Sequence, residues 1–192
     1  MPTLRPLRQY DDRDVINFYA FSGAMPLNKG TLVKIQGNGW KNTDEMSRLG
    51  AAGASFANTV SERYGVTAKI AISTSGTAVL GITLADVKET DENGESLKFN
   101  PRKAAEMGVV LSGQAVPVLT KGIILYSGAT LASDAPSAGA TLFSSSVGEL
   151  TTTNGGGSFP VGIALGAKDS NNHVLVKINL YSKSNFKRKR IL

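Results

Sequence analysis

The chain has 192 residues, 41% of them hydrophobic, and a formal net charge of +6. It has no cysteine and one histidine, His173, which excludes disulfide frameworks, thiolate chemistry and multi-histidine metal sites. No apolar run approaches the roughly 18 residues that span a bilayer, and the polar N-terminus lacks the apolar core of a secretory signal. These features predict a soluble globular protein with no membrane partner.

Residues 1–28 are predicted to form an extended N-terminal arm, because three prolines interrupt them. The arm carries a short apolar and aromatic cluster, made of Val15, Ile16, Phe18, Tyr19 and Phe21. Two interpretations are open for this cluster: an edge strand on the chain's own barrel, or an anchor that docks on a neighbouring subunit by strand addition. Under the second interpretation, we expect the chain to stay folded without residues 1–28.

The next segments alternate between strands and irregular structure. Residues 29–40 place apolar side chains between glycine turns and predict a first strand. Residues 41–65 break the rhythm and are interpreted as an irregular insertion, after which 66–85 return to strands. Residues 86–98 form an acidic loop, for which we expect solvated carboxylates with ordinary pKa values. Its spacing does not meet the calcium-binding pattern of an EF-hand loop.

A short helix is predicted at residues 99–107, where Asn100 can cap the N-terminus and Pro101 suits the first helical position. From residue 104 to 180, short β-branched runs alternate with glycine or Asx turns every eight to twelve residues or so, which is typical of antiparallel strands. The predicted fold is therefore mainly β: a small antiparallel β-barrel over 29–181, with one or two short helices.

Positive charge is concentrated in a basic tail, residues 182–192. The tail contains no acid and five cations, which are Lys183, Lys187, Arg188, Lys189 and Arg190. The rest of the chain is close to neutral, so the high pI does not indicate a nucleic-acid-binding domain. The tail has three interpretations: a solvated terminus, a segment that docks on an acidic protein surface, or a weak phosphate contact.

No motif in the sequence indicates catalysis. Only His173 could act as a base for the many serines, and it lies in a predicted surface turn. G-x-S-x-G and phosphate-binding glycine patterns are absent. We expect neither an enzyme nor a cofactor, a metal or a small-molecule substrate.

Five short motifs, taken in order, resemble the phage capsid decoration family of β-tulip cement proteins, similar to the lambda-type head-stabilising protein. Four of them, at 30–35, 80–82, 108–113 and 160–165, combine glycine with a predicted strand, and the fifth, at 174–180, is a closing strand without glycine. The resemblance covers residues 29–181, whereas the arm, the insertion 41–65 and the tail depart from a minimal family member.

The resemblance implies a virion protein that sits as a homotrimer on the outer surface of an icosahedral phage head, after synthesis in the host cytoplasm. It would bridge the major capsid proteins and stabilise the shell against internal DNA pressure. The expected capsid-binding residues are the five apolar and aromatic residues of the arm and, from the tail, Lys187, Arg188, Lys189 and Arg190. The alternative is a head-fibre base or adhesin that binds host-surface carbohydrate through the loop 151–158.

Overall fold

The structure is a computed structural model that describes residues 2–6, 11–40, 68–157 and 159–180. The insertion 41–65 and the basic tail lie outside the described residues. The described chain is mainly β with short helices, as the sequence predicts. The strands are β1 (Thr3–Pro6), β2 (Val15–Ile16), β3 (Ala20–Phe21), β4 (Leu32–Gln36), β5 (Lys69–Ile72), β6 (Gly81–Thr83), β7 (Val87–Lys88), β8 (Val110–Leu111), β9 (Val118–Leu119), β10 (Lys121–Ser127), β11 (Thr141–Ser144), β12 (Leu150–Thr151), β13 (Gly162–Ala164) and β14 (Val174–Asn179). The helices are α1 (Pro101–Met107) and α2 (Ala129–Asp134).

Most of the strands belong to two six-stranded sheets. Sheet I has the order β1-β10-β14-β13-β11-β12, and sheet II has the order β2-β9-β6-β4-β5-β3. A third sheet pairs β7 with β8. The strand pairs are antiparallel except β3 with β5 and β7 with β8. Antiparallel neighbours need only short connections, which agrees with the closely spaced turn residues of the sequence.

The core lies between sheets I and II, and a second apolar layer covers the other face of sheet II. Alternation along the strands separates the two layers. In β4, Leu32 joins the first cluster and Val33 the second; in β9, Leu119 joins the first and Val118 the second. The first cluster also contains the inward side chains of sheet I, including Ile124, Tyr126, Val176 and Ile178. Among the described residues, sheet II therefore contributes to apolar clusters on both faces, and sheet I on one.

Two close connections join the sheets. Only Thr120 separates β9 in sheet II from β10 in sheet I, and its N–H donates to the carbonyl of Asp14 over 2.8 Å. At the other connection, Leu32 donates its N–H to the carbonyl of Gly148 over 2.8 Å. Gly148 has φ +75°, and a Cβ there would lie 2.5 Å from Ile72 Cγ2. Glycine is needed here because any larger residue would force the sheets apart.

The pattern Gly-Ile-X-Leu occurs at 81–84 and again at 162–165, and the structure explains the glycine in each. Gly81 and Gly162 each begin a three-residue strand inside a sheet. A Cβ on Gly81 would lie 2.5 Å from the carbonyl oxygen of Leu119, and one on Gly162 would clash with the carbonyl of Lys177. Both glycines therefore permit a close approach of neighbouring strands, in equivalent positions of different sheets.

Helix α1 begins and ends as the sequence predicts. The Asn100 side chain accepts a hydrogen bond from the N–H of Lys103 over 3.2 Å, Pro101 occupies the first turn, and Gly108 ends the helix at φ 62°.

Helix α2 was not predicted. Its first turn is held by Glu149, whose carboxylate accepts hydrogen bonds from the N–H and the hydroxyl of Thr130 over 2.9 and 2.6 Å.

The N-terminal segment differs from the predicted arm. Its three strands β1, β2 and β3 are edge strands, one on sheet I and one on each side of sheet II. Leu4, Ala20, Phe21 and Leu27 are buried. The described part of 1–28 is therefore built into the same folded unit as the residues that follow, because its apolar side chains are needed to complete both cores. This is the edge-strand interpretation that the sequence left open.

Candidate interaction surfaces

The residues expected to anchor a partner fall in different environments. Val15 and Ile16 pair with β9 and are half-buried. Phe21 is only 4% exposed and packs in the second core cluster, with Tyr19 half-buried against it. Phe18 is 65% exposed. Of these five residues, Phe18 is the one whose side chain is mainly available to a partner in the folded chain. Lys187, Arg188, Lys189 and Arg190 lie outside the described residues.

A surface that the sequence did not reveal lies on the outer face of sheet I. Burial alternates along its strands: Ile124 and Tyr126 of β10 point into the core, whereas their neighbours point away from it. The outward positions define the outer face, which consists of Thr3, Arg5, Lys121, Ile123, Leu125, Ser127, Thr141, Phe143, Thr151, Ile163, Leu175, Lys177 and Asn179. At the β12 edge of this face, Thr151 is directly opposite Phe143, is buried, and donates its hydroxyl to Asp134 of α2.

The strand register makes the apolar side chains of the outer face neighbours. Ile123 is directly opposite Lys177, which is opposite Ile163 on the next strand. Leu125 is likewise opposite Leu175. Directly opposed residues in antiparallel sheets have Cβ atoms about 4.5–5.5 Å apart, so these side chains touch and form one patch. Ile163 remains 40% exposed within it.

The charge of the outer face has one sign. The six strands of sheet I contain three cationic residues, Arg5, Lys121 and Lys177, and no acidic residue. All three are exposed, and none forms an ion pair with another described residue. The alkyl stem of Lys177 lies between two isoleucines, an arrangement in which a lysine adds apolar contact area while its ammonium group stays in water. The face thus combines aliphatic area with uncompensated positive charge.

The acidic loop 86–98 is organised differently from the expectation of solvated carboxylates. The Asp91 side chain is 1% exposed and forms an ion pair with Lys103 of α1. It also accepts hydrogen bonds from the N–H groups of Asn93 and Glu95, over 2.9 and 2.7 Å. The hydrogen bond from Lys103, aided by these N–H groups, lowers the pKa of Asp91, and the same pairing raises the pKa of Lys103. This pair fastens the loop to α1.

A half-buried carboxylate ties α2 to the edge strand β12. Asp134 accepts hydrogen bonds from the hydroxyl of Thr151 and the N–H of Thr152, over 2.6 and 2.7 Å. Burial raises the pKa of Asp134, but these two donors outweigh it and leave the pKa below its usual value. Tyr126 accepts a hydrogen bond from the N–H of Leu150 over 3.2 Å, and burial raises its pKa. These contacts are internal and stabilise the fold.

The remaining polar groups also make local contacts. His173 lies in a turn where its N–H donates to Asp169 Oδ1 over 2.8 Å, and its Nδ1 is 3.5 Å from Asp169 Oδ2. Among the described residues, no cluster of three or more histidine, aspartate or glutamate side chains could hold a metal ion. No helix in the described part of the chain has the length and apolar character needed to cross a membrane.

Comparisons of the chain with models of protein families, with curated proteins and with solved structures give no match.

Proposed function

We propose that this chain is a virion structural protein that decorates and cements the outer surface of an icosahedral phage head. It acts by binding alone, as a homotrimer that bridges major capsid proteins and stabilises the shell against internal DNA pressure. The observation that carries the proposal is that all five motifs of the resemblance coincide with strands of one mainly-β unit, in the family's order. They contain β4, the start of β6, β8, β13 and β14.

The shape of the fold suits a cementing role. The fold is a rigid body without a need for a cofactor, because neighbouring strands contact each other directly in the sheets and glycines allow their close approach. Short edge strands, and a sheet face whose aliphatic side chains are half-buried or exposed, offer extended surfaces to partners. A particle binds many copies, so a modest contact per copy is sufficient to stabilise the whole shell.

The test uses heads of the phage that encodes the chain, prepared without this protein. Purified protein should bind these heads, appear as trimeric density at local threefold positions in cryo-electron microscopy, and raise the temperature at which the heads release DNA. Absence of binding to the heads, or density confined to fibres or tail, would refute the proposal.

One observation favours the alternative of a carbohydrate-binding module at a head fibre or tail. Two polar loops, 73–77 and 151–157, meet at one end of the sheets: a Cβ on Gly155 would lie 3.1 Å from Ser75, and one on Gly76 would lie 3.4 Å from the carbonyl of Gly156. Exposed residues such as Asn154 give this end hydroxyl and amide groups suited to sugars. Binding of purified protein to host-surface polysaccharide, lost in Asn154→Ala, would support this function over cementing.

A further inference from the structure

We infer that the outer face of sheet I is a docking surface for an acidic, partly apolar surface of another protein. The inference rests on the proposed function for the identity of that partner, which is the protein shell of the head. It assigns the contact to a surface other than the N-terminal cluster and the tail, where the sequence placed it.

The first argument is the composition of the face. Ile123, Leu125, Ile163 and Leu175 form a contiguous aliphatic patch by register, and none of them belongs to a core cluster of the described residues. Ile123, Leu125 and Leu175 are half-buried, whereas Ile163 is 40% exposed. An apolar centre surrounded by polar groups is characteristic of protein–protein interfaces.

The second argument is charge complementarity. Arg5, Lys121 and Lys177 stand on this face with no acidic residue on any strand of the sheet. Water solvates these charges in the free protein, but a partner that covers the face must supply carboxylates, because burying a cation without a counter-charge is costly. The partner surface is therefore acidic around its apolar centre.

The third argument is the path of the chain. β14 ends at Asn179, which is opposite Lys121, and the N–H of Leu180 donates to the carbonyl of Thr120 over 3.3 Å. The chain continues from this corner into the basic tail, which adds five cations and no acid. The described chain therefore ends, at residue 180, beside Lys121 of the cationic face.

The same observations argue against other occupants. A second copy that met this face with its own identical face would bring three unpaired cations against three like charges. A nucleic acid would satisfy the cations but not the aliphatic patch, since single strands are bound by stacking on aromatic rings and duplexes through polar contacts to phosphate. Phe143 is the only aromatic residue of the outer face.

The experiment compares full-length wild-type protein with three single variants. Lys177→Glu reverses the central charge, and Ile163→Thr removes apolar area while keeping a β-branched residue. Arg102→Glu is the control: it makes a charge reversal of the same size on α1, which packs on a cluster separate from the core beneath sheet I, and there Arg102 is 90% exposed and pairs with Glu106. Circular dichroism and thermal melting establish that all variants are folded.

Three measurements follow on each protein: binding to DNA-free heads that lack this protein, binding to a duplex DNA of about 30 base pairs, and mass by analytical ultracentrifugation. We expect Lys177→Glu to weaken head binding by at least roughly tenfold and Ile163→Thr by several-fold, while Arg102→Glu binds like wild type. Head binding should also weaken with added salt, less steeply for Lys177→Glu.

Each other outcome overturns the inference in a distinguishable way. If wild type binds heads and Lys177→Glu binds equally well, the face is not the docking surface, although the proposed function stands. If the variants change the mass but not head binding, the face joins copies of this chain; if they lose only DNA binding, its occupant is nucleic acid. If wild type does not bind heads, the proposed function fails and the inference fails with it.

Discussion

Removing one hydroxyl group tests how the edge strand β12 is held on sheet I. Tyr126 is 0% exposed, and its hydroxyl accepts a hydrogen bond from the N–H of Leu150, which is also 0% exposed. Ser145 and Glu149 form the hydrogen-bonded pair next to Leu150, so Leu150 is at a non-bonded position and its N–H points away from β11. In Tyr126→Phe this N–H would lose its acceptor.

The size of the effect follows from the burial of both partners. The phenyl ring of Tyr126→Phe keeps the apolar packing, so the change isolates the hydrogen bond. Leaving a buried donor unsatisfied costs about 1–3 kcal/mol. For a chain of this size, a loss of about 2 kcal/mol corresponds to a fall in Tm of roughly 4–8 °C. We therefore expect a lower Tm with an unchanged dependence of the unfolding free energy on urea.

The assay is urea unfolding followed by circular dichroism, with calorimetry for Tm. Tyr19→Phe is the control, because the Tyr19 hydroxyl makes no hydrogen bond to another described residue and the ring is half-buried. It should change the unfolding free energy by less than about 0.5 kcal/mol. If Tyr126→Phe is as stable as Tyr19→Phe, the N–H of Leu150 is satisfied in another way and the reasoning is refuted.

Three further predictions concern the fold. Gly162→Ala should lower the free energy of unfolding by about 1–3 kcal/mol in a urea titration, because the new Cβ meets the carbonyl of the adjacent strand. The control Gly166→Ala should leave the free energy of unfolding unchanged, because no atom lies within 4 Å of its new Cβ. The pKa of Asp91 is lowered in the folded chain, so the stability that Asp91 contributes is complete above the unfolded pKa of about 3.9 and is lost as the pH falls through the lower folded pKa. Asp91→Asn should therefore make Tm depend less steeply on pH in thermal melts between about pH 5 and 2. Parallel curves of Tm against pH for the variant and wild type would contradict this prediction. Deletion of residues 1–28 should abolish cooperative thermal unfolding, since the segment supplies three edge strands and four buried apolar side chains; a retained sharp transition would show that the segment is dispensable.

Local signals in the sequence were sufficient for some elements. Helix α1 was predicted because its cap Asn100, its first-turn Pro101 and its terminating Gly108 all lie within nine residues of each other. The mainly-β class was predicted because alternation and glycine turns are properties of a strand and its nearest neighbours in the chain. Each of these features depends on residues that interact through short stretches of backbone.

Long-range contacts decided what the sequence left open or missed. The N-terminus of α2 depends on Glu149, nineteen residues from the Thr130 that it binds, so no local cap was visible. Asp91 is buried because Lys103 comes from the helix that packs on the loop, not from the loop itself. The N-terminal segment became three edge strands because sheet edges exist only once distant strands have paired.

The outer face of sheet I shows the limit most directly. In β10, both alternating sets of side chains are largely apolar: Ile124 and Tyr126 face the core, and Ile123 and Leu125 face outward. The sequence by itself determined that this stretch is a strand, since β-branched and aromatic residues favour extended backbone. Only the tertiary structure decided which set is buried, because that depends on the register with β14 and on the sheet that packs opposite.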